Sequence, residues 1–316
     1  MAVLGRGAFR FETVPDWPRL PAGMHLKEVA AVAIDREDRV FLFTRGDHPI
    51  MVFDRDGSFL SSWGEGTFSA PHGASFAPDG SLWLVDEGDH TVRRCSVQGK
   101  VEREIGTPNV PAAFHSGAPF NRPTHAVVDP ATGELYVSDG YGNARVHRFD
   151  QDGRRLASWG GSGTDPGEFN LPHNLALDRD GRLYVADREN HRVQVFDRSG
   201  RVLAQWVNMH RACALWLEAD GPRDHVYVSE LGPTYPFHKE APGLGPRISV
   251  YTTAGECVAR IGSGPAGEAD GDFITPHGLA MDSRGDLYVG ETSWSTTGRY
   301  LDPPRELRSL QKLRRC

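Results

Sequence analysis

A Pro-His pair occurs three times in this chain, each time in front of the same kind of segment. Pro71-His72 opens PHGASFAPDGSLWLVD, Pro172-His173 opens PHNLALDRDGRLYVAD, and Pro276-His277 opens PHGLAMDSRGDLYVGE. An acidic residue, Asp86, Asp187 or Glu291, falls fourteen places after each histidine. The three histidines therefore occupy one register of one repeated unit. They lie 101 and 104 residues apart, while the unit recurs about every 40 to 55 residues, so a histidine marks every second unit.

The unit itself is a short apolar strand, a turn of the Asp-x-x-Gly kind, a second strand ending in Asp, another turn, and a third strand rich in Val and Phe. A fourth strand follows and commonly ends at Trp-Gly or Ile-Gly. Short β-branched strands punctuated by such turns read as antiparallel hairpins. Five units close near Gly64, Gly106, Gly160, Trp206 and Gly262, and a sixth begins near Pro276. Six four-stranded units predict an all-β chain, a six-bladed β-propeller over residues 1–316. The sixth unit is unfinished after Thr292. The N-terminal AFRFETV (residues 8–14) is expected to supply its outer strand, and the tail RSLQKLRRC its third. Borrowing from both chain ends removes the free edges of the last blade. Residues 293–306 then form a loop within it.

Composition matters here for what it excludes. The net charge is −7 and no basic stripe is present, so nucleic acid is not an expected partner. No apolar run approaches the roughly 20 residues that span a bilayer. The N-terminus lacks an apolar core of signal-peptide length, so a cytoplasmic protein is expected. Cys95, Cys213, Cys257 and Cys316 are scattered without metal-type spacing and are expected to be reduced. The expected partner is a small-molecule substrate, and the oligomeric state stays open.

In a ring of six blades, histidines from alternate blades sit roughly 120° apart about the axis. Three imidazoles converging there make a three-nitrogen metal site with one position open. The Pro-His pairs precede the first strand of a blade, and the residues after the second-strand acid follow the second strand. Both sets fall at one end of the ring. Arg45, Tyr141 and Arg188 occupy the second set, so two cations and a phenol rim the face that holds His72, His173 and His277. His125 is one place out of register, aligning with Asn174, and a one-residue shift turns a side chain to the other face. His125, His210 and Thr275 are further candidates for the pocket wall. His48, His90 and His191 recur between the second and third strands and read as a repeated turn contact.

The stretches TRGDH (44–48), PHGASF (71–76), VSDGYGNARV (137–146), LPHNLAL (171–177), VADRENHRVQVF (185–196) and TPHGLAM (275–281) resemble one family. They are similar to the peptidyl-α-hydroxyglycine α-amidating lyases, six-bladed propellers related to NHL-repeat proteins. The resemblance runs over about residues 27 to 292. It implies zinc on His72, His173 and His277, and catalytic or substrate-binding roles for Arg45, Tyr141 and Arg188. Three positions depart from the family. Gly142 stands where the family has a disulfide cysteine, Thr275 where it has a methionine, and Gly278 where an Asp helps to hold a structural calcium. These departures put the calcium in question and mark an altered substrate pocket.

Three neutral imidazoles suit Zn²⁺ and accept other divalent ions. An ion with an open position lowers the pKa of a bound oxygen and polarises a carbonyl. Tyr141 beside it would serve as base, and Arg45 and Arg188 would grip a carboxylate. The reading is a metal-dependent lyase on a small hydroxylated or carboxylated, carbinolamide-like substrate. The same ligands would serve a metal-dependent hydrolase or hydratase. A third class, a non-catalytic NHL-type binding propeller, needs no histidines in register.

Overall fold

The Asp-x-x-Gly turns show how the sequence sets the strands. Asp178 ends the first strand of its unit, and its Oδ1 accepts the backbone N–H of Asp180 and Arg182 at 3.0 and 2.8 Å. Gly181 supplies the positive φ, 79°, that lets the chain reverse. Asp282 repeats this with Arg284, Asp286 and Gly285 (φ 83°). The side-chain carboxylate thus replaces backbone partners that a tight turn cannot offer.

The computed structural model describes residues 1–218, 224–238, 241, 243–262 and 264–316. Six small antiparallel sheets succeed one another, and they are the blades of a six-bladed β-propeller. Blade 1 runs Val29–Ile34, Val40–Thr44, Ile50–Phe53 and Phe59–Trp63. Blade 2 runs Pro71–Phe76, Leu82–Asp86, Thr91–Cys95 and Val101–Ile105. Blade 3 begins at His125–Val128 and Leu135–Asp139, blade 4 at Pro172–Leu177 and Leu183–Asp187, and blade 5 at Ala212–Glu218 and His225–Glu230.

Blade 6 is assembled from both chain ends. Pro276–Met281 and Leu287–Glu291 are followed in the sheet by Leu310–Arg315, then Phe9–Val14, then Val3–Arg6. The register pairs Leu313 with Leu287 on one side and with Thr13 on the other. Residues 3–6 add a fifth strand that the sequence reading did not include. The segment 293–306 contains a helical turn, Ser293–Thr296, and a second at Gly298–Tyr300.

Two compact units make up the chain, residues 66–217 and residues 1–65 with 218–316. In the first, the second strands of blades 2, 3 and 4 are buried end to end. Trp83, Val85 and Val92 of blade 2 pack with Ala126, Leu135, Val137 and Phe149 of blade 3, and Phe120 seals the contact. Tyr136 and Val146 meet Leu175, Val185 and Phe196 of blade 4 in the same way. Burying each such side chain is worth about 1.5–3 kcal/mol, so blade-to-blade packing holds the inner strands in register. Among the described residues, no helix is long and apolar enough to cross a membrane.

Candidate metal centre and its rim

The fourteen-residue spacing from histidine to acid has a local cause. Asp86 reaches back across its hairpin and accepts the N–H groups of Ser69 and Ala70, at 2.6 and 2.9 Å. Asp187 accepts that of Asn170 at 2.7 Å, and Glu291 those of Ile274 and Thr275 at 2.6 and 2.9 Å. Each acid thereby clamps the loop that delivers its Pro-His pair. Asp139 does the same at Asn121 in blade 3, which carries no such pair. Three of these four buried acids have a cationic or imidazole partner: Arg93 for Asp86, Arg192 for Asp187 and His147 for Asp139; Glu230, which ends the second strand of blade 5, pairs with Arg247 in the same way.

His72, His173 and His277 are all buried. In each ring Nδ1 faces a backbone carbonyl of the next blade: Thr124 at 2.7 Å, Cys213 at 2.8 Å and Ala30 at 2.7 Å. A carbonyl only accepts, so Nδ1 carries the proton and Nε2 keeps its lone pair. This is the tautomer a metal-binding histidine needs, with an orienting partner behind it. The donor chemistry therefore fits a divalent ion. Glycine follows two of the histidines because the next blade is so close. A Cβ on Gly73 would come within 2.9 Å of His125 Cα, and one on Gly278 within 2.8 Å of Ala31 Cα. Gly278 thus leaves no room for the family's Asp without movement of blade 1. Cys213 lies 3.4 Å from His173 Nδ1, but burial pushes its thiol up to about 12, so it stays protonated.

In the unit of residues 66–217, the Tyr141 hydroxyl lies 3.2 Å from His72 Nε2 and 3.4 Å from His173 Nε2. Both nitrogens are acceptors, so the phenol donates to one at a time. Gly140 makes this placement possible: a Cβ there would strike the Pro172 carbonyl. Arg188 NH1 stands 3.4 Å from the same hydroxyl, and its Nε donates to Glu189 at 2.7 Å. Burial opposes the charge on Arg188, yet its hydrogen bond to Tyr141 and the charge of Glu189 hold its pKa above the ordinary arginine value. Burial likewise opposes the charge on Glu189, but Arg211 and Arg188 pull its pKa down to about 2.

In the other unit, Arg45 NH1 donates to Glu28 at 3.0 Å, and the second Glu28 oxygen takes the N–H of Ser295 at 2.7 Å. Glu28 is almost wholly buried. Thr275 Oγ1 meets Thr296 Oγ1 at 3.1 Å.

The remaining sequence candidates fall elsewhere. His125 turns its ring over Gly73, its Nδ1 buried without a hydrogen-bond partner, and burial depresses its pKa to about 4. His210 packs on His191, ring centroids 4.6 Å apart. His90 and His191 each accept, at Nδ1, a backbone N–H from the residue ahead of the next blade, Arg122 and Arg211 respectively, both at 3.1 Å. His48 instead pairs with Glu65 at 2.8 Å. Gly142 packs directly against the Asn121 side chain, and among the described residues all four cysteines are free. Sequence reasoning missed Arg122, whose guanidinium lies over the Tyr141 ring, 4.6 Å from its centroid. It also missed Glu28 and the three orienting carbonyls. Arg122 and Arg211 share a place two residues ahead of an orienting carbonyl, and both have positive φ (60° and 52°), a likeness that only the folded backbone reveals.

Residues 169–196 match the NHL repeat family model. Human NHL repeat-containing protein 3 is 32% identical over 90% of this chain and 82% of its own length. Peptidyl-alpha-hydroxyglycine alpha-amidating lyase 1 of Drosophila melanogaster is 35% identical over 74% of this chain, which spans 45% of the fly protein. The chain covers about a third of the Xenopus laevis amidating monooxygenases that it also matches. Among solved structures, virginiamycin B lyase from Staphylococcus aureus superposes with a TM-score of 0.57 at 15% identity, covering 93% of this chain and 83% of that one. At that identity the likeness speaks for the fold.

Proposed function

Because the chain belongs to the family of NHL-repeat propellers that includes NHL repeat-containing protein 3 and the amidating lyases, we propose that it is a metal-dependent lyase. Its substrate class is a small carbinolamide that bears a carboxylate. His72, His173 and His277 hold one divalent ion, zinc in the first instance, and Tyr141 is the base. The observation that carries this reading is the Tyr141 hydroxyl, within 3.4 Å of the Nε2 atoms of both His72 and His173. Further support comes from the shared tautomer of all three rings and from their nitrogens forming a group that could hold one ion.

An ion bound there supplies Lewis acidity toward the substrate's hydroxyl oxygen. The protein's own work is positioning and proton transfer. Tyr141 takes the proton of the carbinol hydroxyl. As the C–O bond becomes a carbonyl, the C–N bond breaks, and the proton passes on to the departing amide nitrogen. The products are an amide and a glyoxylate-type aldehyde. Arg188 fixes the phenol from one side through its contact with Oη. Arg45, anchored by Glu28, is the family's arginine in the other unit.

The test is to incubate purified protein with N-benzoyl-α-hydroxyglycine and follow glyoxylate and benzamide, with and without a chelator. Chelator-sensitive release of both products in equal amounts is expected. Release that ignores chelation refutes the metal requirement, and absence of product refutes the lyase. Release of benzoate carrying ¹⁸O from labelled water, in place of benzamide, would instead mark a hydrolase, because benzoate does not exchange its oxygens as the aldehyde of glyoxylate does. The match to NHL repeat-containing protein 3 favours one second reading, a propeller that binds without catalysis. Purified protein devoid of metal at all three histidines would decide for it.

A further inference from the structure

Arg122 is tied down at four points. Its backbone is left-handed (φ 60°), and its N–H donates to His90 Nδ1 at 3.1 Å. Its carbonyl accepts the N–H of Tyr141 at 3.4 Å. Nε and NH2 both engage Glu87 Oε2, at 2.8 and 2.6 Å. The guanidinium plane is thereby laid over the Tyr141 ring, 4.6 Å from its centroid, while Arg188 flanks the same ring at 5.5 Å.

The two arginines are not equivalent. Arg188 is buried, with its Nε and NH1 engaged by Glu189 and the Tyr141 hydroxyl. The Arg122 side chain is 48% exposed, and its NH1 has no partner among the described residues. A half-exposed arginine held this firmly has already lost the rotamer entropy that ligand binding would otherwise cost. Within this group the guanidinium groups of Arg122, Arg188 and Arg211 face the carboxylates of Glu87 and Glu189, leaving one positive charge in excess.

We propose that Arg122 is the residue that reads the substrate's carboxylate, through NH1, beside the Tyr141 hydroxyl. This rests on the lyase reading for the identity of the substrate. It goes beyond that reading in assigning specificity to a residue outside the motifs that define the site. The substrate it selects is a monoanion whose carboxylate lies next to the carbon that Tyr141 serves. Arg188 then acts as a positioning residue for the phenol, and Arg122 as the contact that separates acids from their neutral analogues.

The test is direct binding and needs no turnover. N-benzoylglycine and its uncharged analogue N-benzoylglycinamide are titrated into the wild type, Arg122→Gln and Arg122→Lys by calorimetry. Arg122→Gln is expected to weaken N-benzoylglycine about tenfold, the usual worth of a charge-assisted hydrogen bond, while N-benzoylglycinamide changes less than twofold. Arg122→Lys should recover part of the loss. Equal losses for both ligands mean that Arg122 only packs on Tyr141, and they overturn the proposal. So does an unchanged affinity for the acid, or a wild type that does not bind it. A wild type that binds the acid through Arg122 yet forms no glyoxylate refutes the lyase and leaves this inference standing.

Discussion

Replacing Glu291 by glutamine is expected to stabilise the protein at pH 8 and not at pH 5. Glu291 is fully buried, and its Oε2 takes both clamp hydrogen bonds, from Ile274 and Thr275. Its Oε1 has no hydrogen-bond partner. Blades 2, 4 and 5 place Arg93, Arg192 and Arg247 on the third strand against the matching acid, and blade 3 places His147 there, but blade 6 draws its third strand from the tail and brings Gln311 instead. Arg308 acts from a distance, its guanidinium spent on the backbone carbonyls of Gly267, Glu268, Ala269 and Asp272. Burial therefore pushes the carboxyl up to about 7 from an ordinary 4.5. The folded state binds the proton more tightly than the unfolded state does. Stability is then highest below about pH 4.5, falls as pH rises towards 7, and is flat above. The full loss is about 3 kcal/mol, at about 1.4 kcal/mol per pKa unit. Glutamine removes this dependence but buries an amide N–H₂ without an acceptor, at about 1–2 kcal/mol. The variant should be less stable than wild type at pH 5 and more stable at pH 8. With an unfolding entropy of roughly 2.1 cal/mol/K per residue, the swing in relative Tm is about 4 °C. Thermal unfolding of chelator-treated wild type and variant across pH 5–8 measures it, and other titrating groups cancel in the difference. A difference that stays flat over that range would refute the reasoning.

Alanine at His72, His173 or His277 should each remove most of the bound divalent metal, measured by elemental analysis of purified protein, and a triple variant that keeps stoichiometric zinc would contradict the ligand set. Tyr141→Phe should retain fold and metal while turnover of the carbinolamide falls by about 10²–10⁴, the usual worth of a general acid–base group; wild-type turnover in the variant would remove Tyr141 from the chemistry. Gly278→Asp should not create a calcium site but should cost about 1–3 kcal/mol through overpacking against Ala30 and Ala31. Calcium-dependent stabilisation of that variant in thermal unfolding would show the strand can yield.

The blades and the histidine register were legible because repetition makes them so. One Pro-His pair means little, and three with an acid at a fixed distance define a geometry. The unfinished sixth unit pointed to residues 8–14 and the tail for a related reason, since a sheet that stops short must find partners. The carbonyls of Thr124, Cys213 and Ala30 left no trace, because a backbone acceptor is the same in every residue. Arg122 was invisible for another cause: Arg before Pro reads as a charge ahead of a strand, and only its left-handed backbone and the hold of Glu87 bring it over Tyr141. The Val3–Arg6 strand is too short and too Gly-interrupted to declare itself.

The sharing of blade 6 between the two chain ends bears on the order in which the molecule comes into being. Residues 9–14 can pair with residues 3–6 along one edge as soon as both are made, but their other edge has no partner until residues 310–315 follow. The long wait costs little at equilibrium, because closure entropy grows only with the logarithm of loop length, but it postpones that non-local pairing until the strand at residues 310–315 has been made. His277 stands on the innermost strand of that same blade, and its ring is held by the Ala30 carbonyl of blade 1. A metal centre that includes His277 cannot take up its ion before synthesis has passed that residue, some two hundred residues after His72 is made.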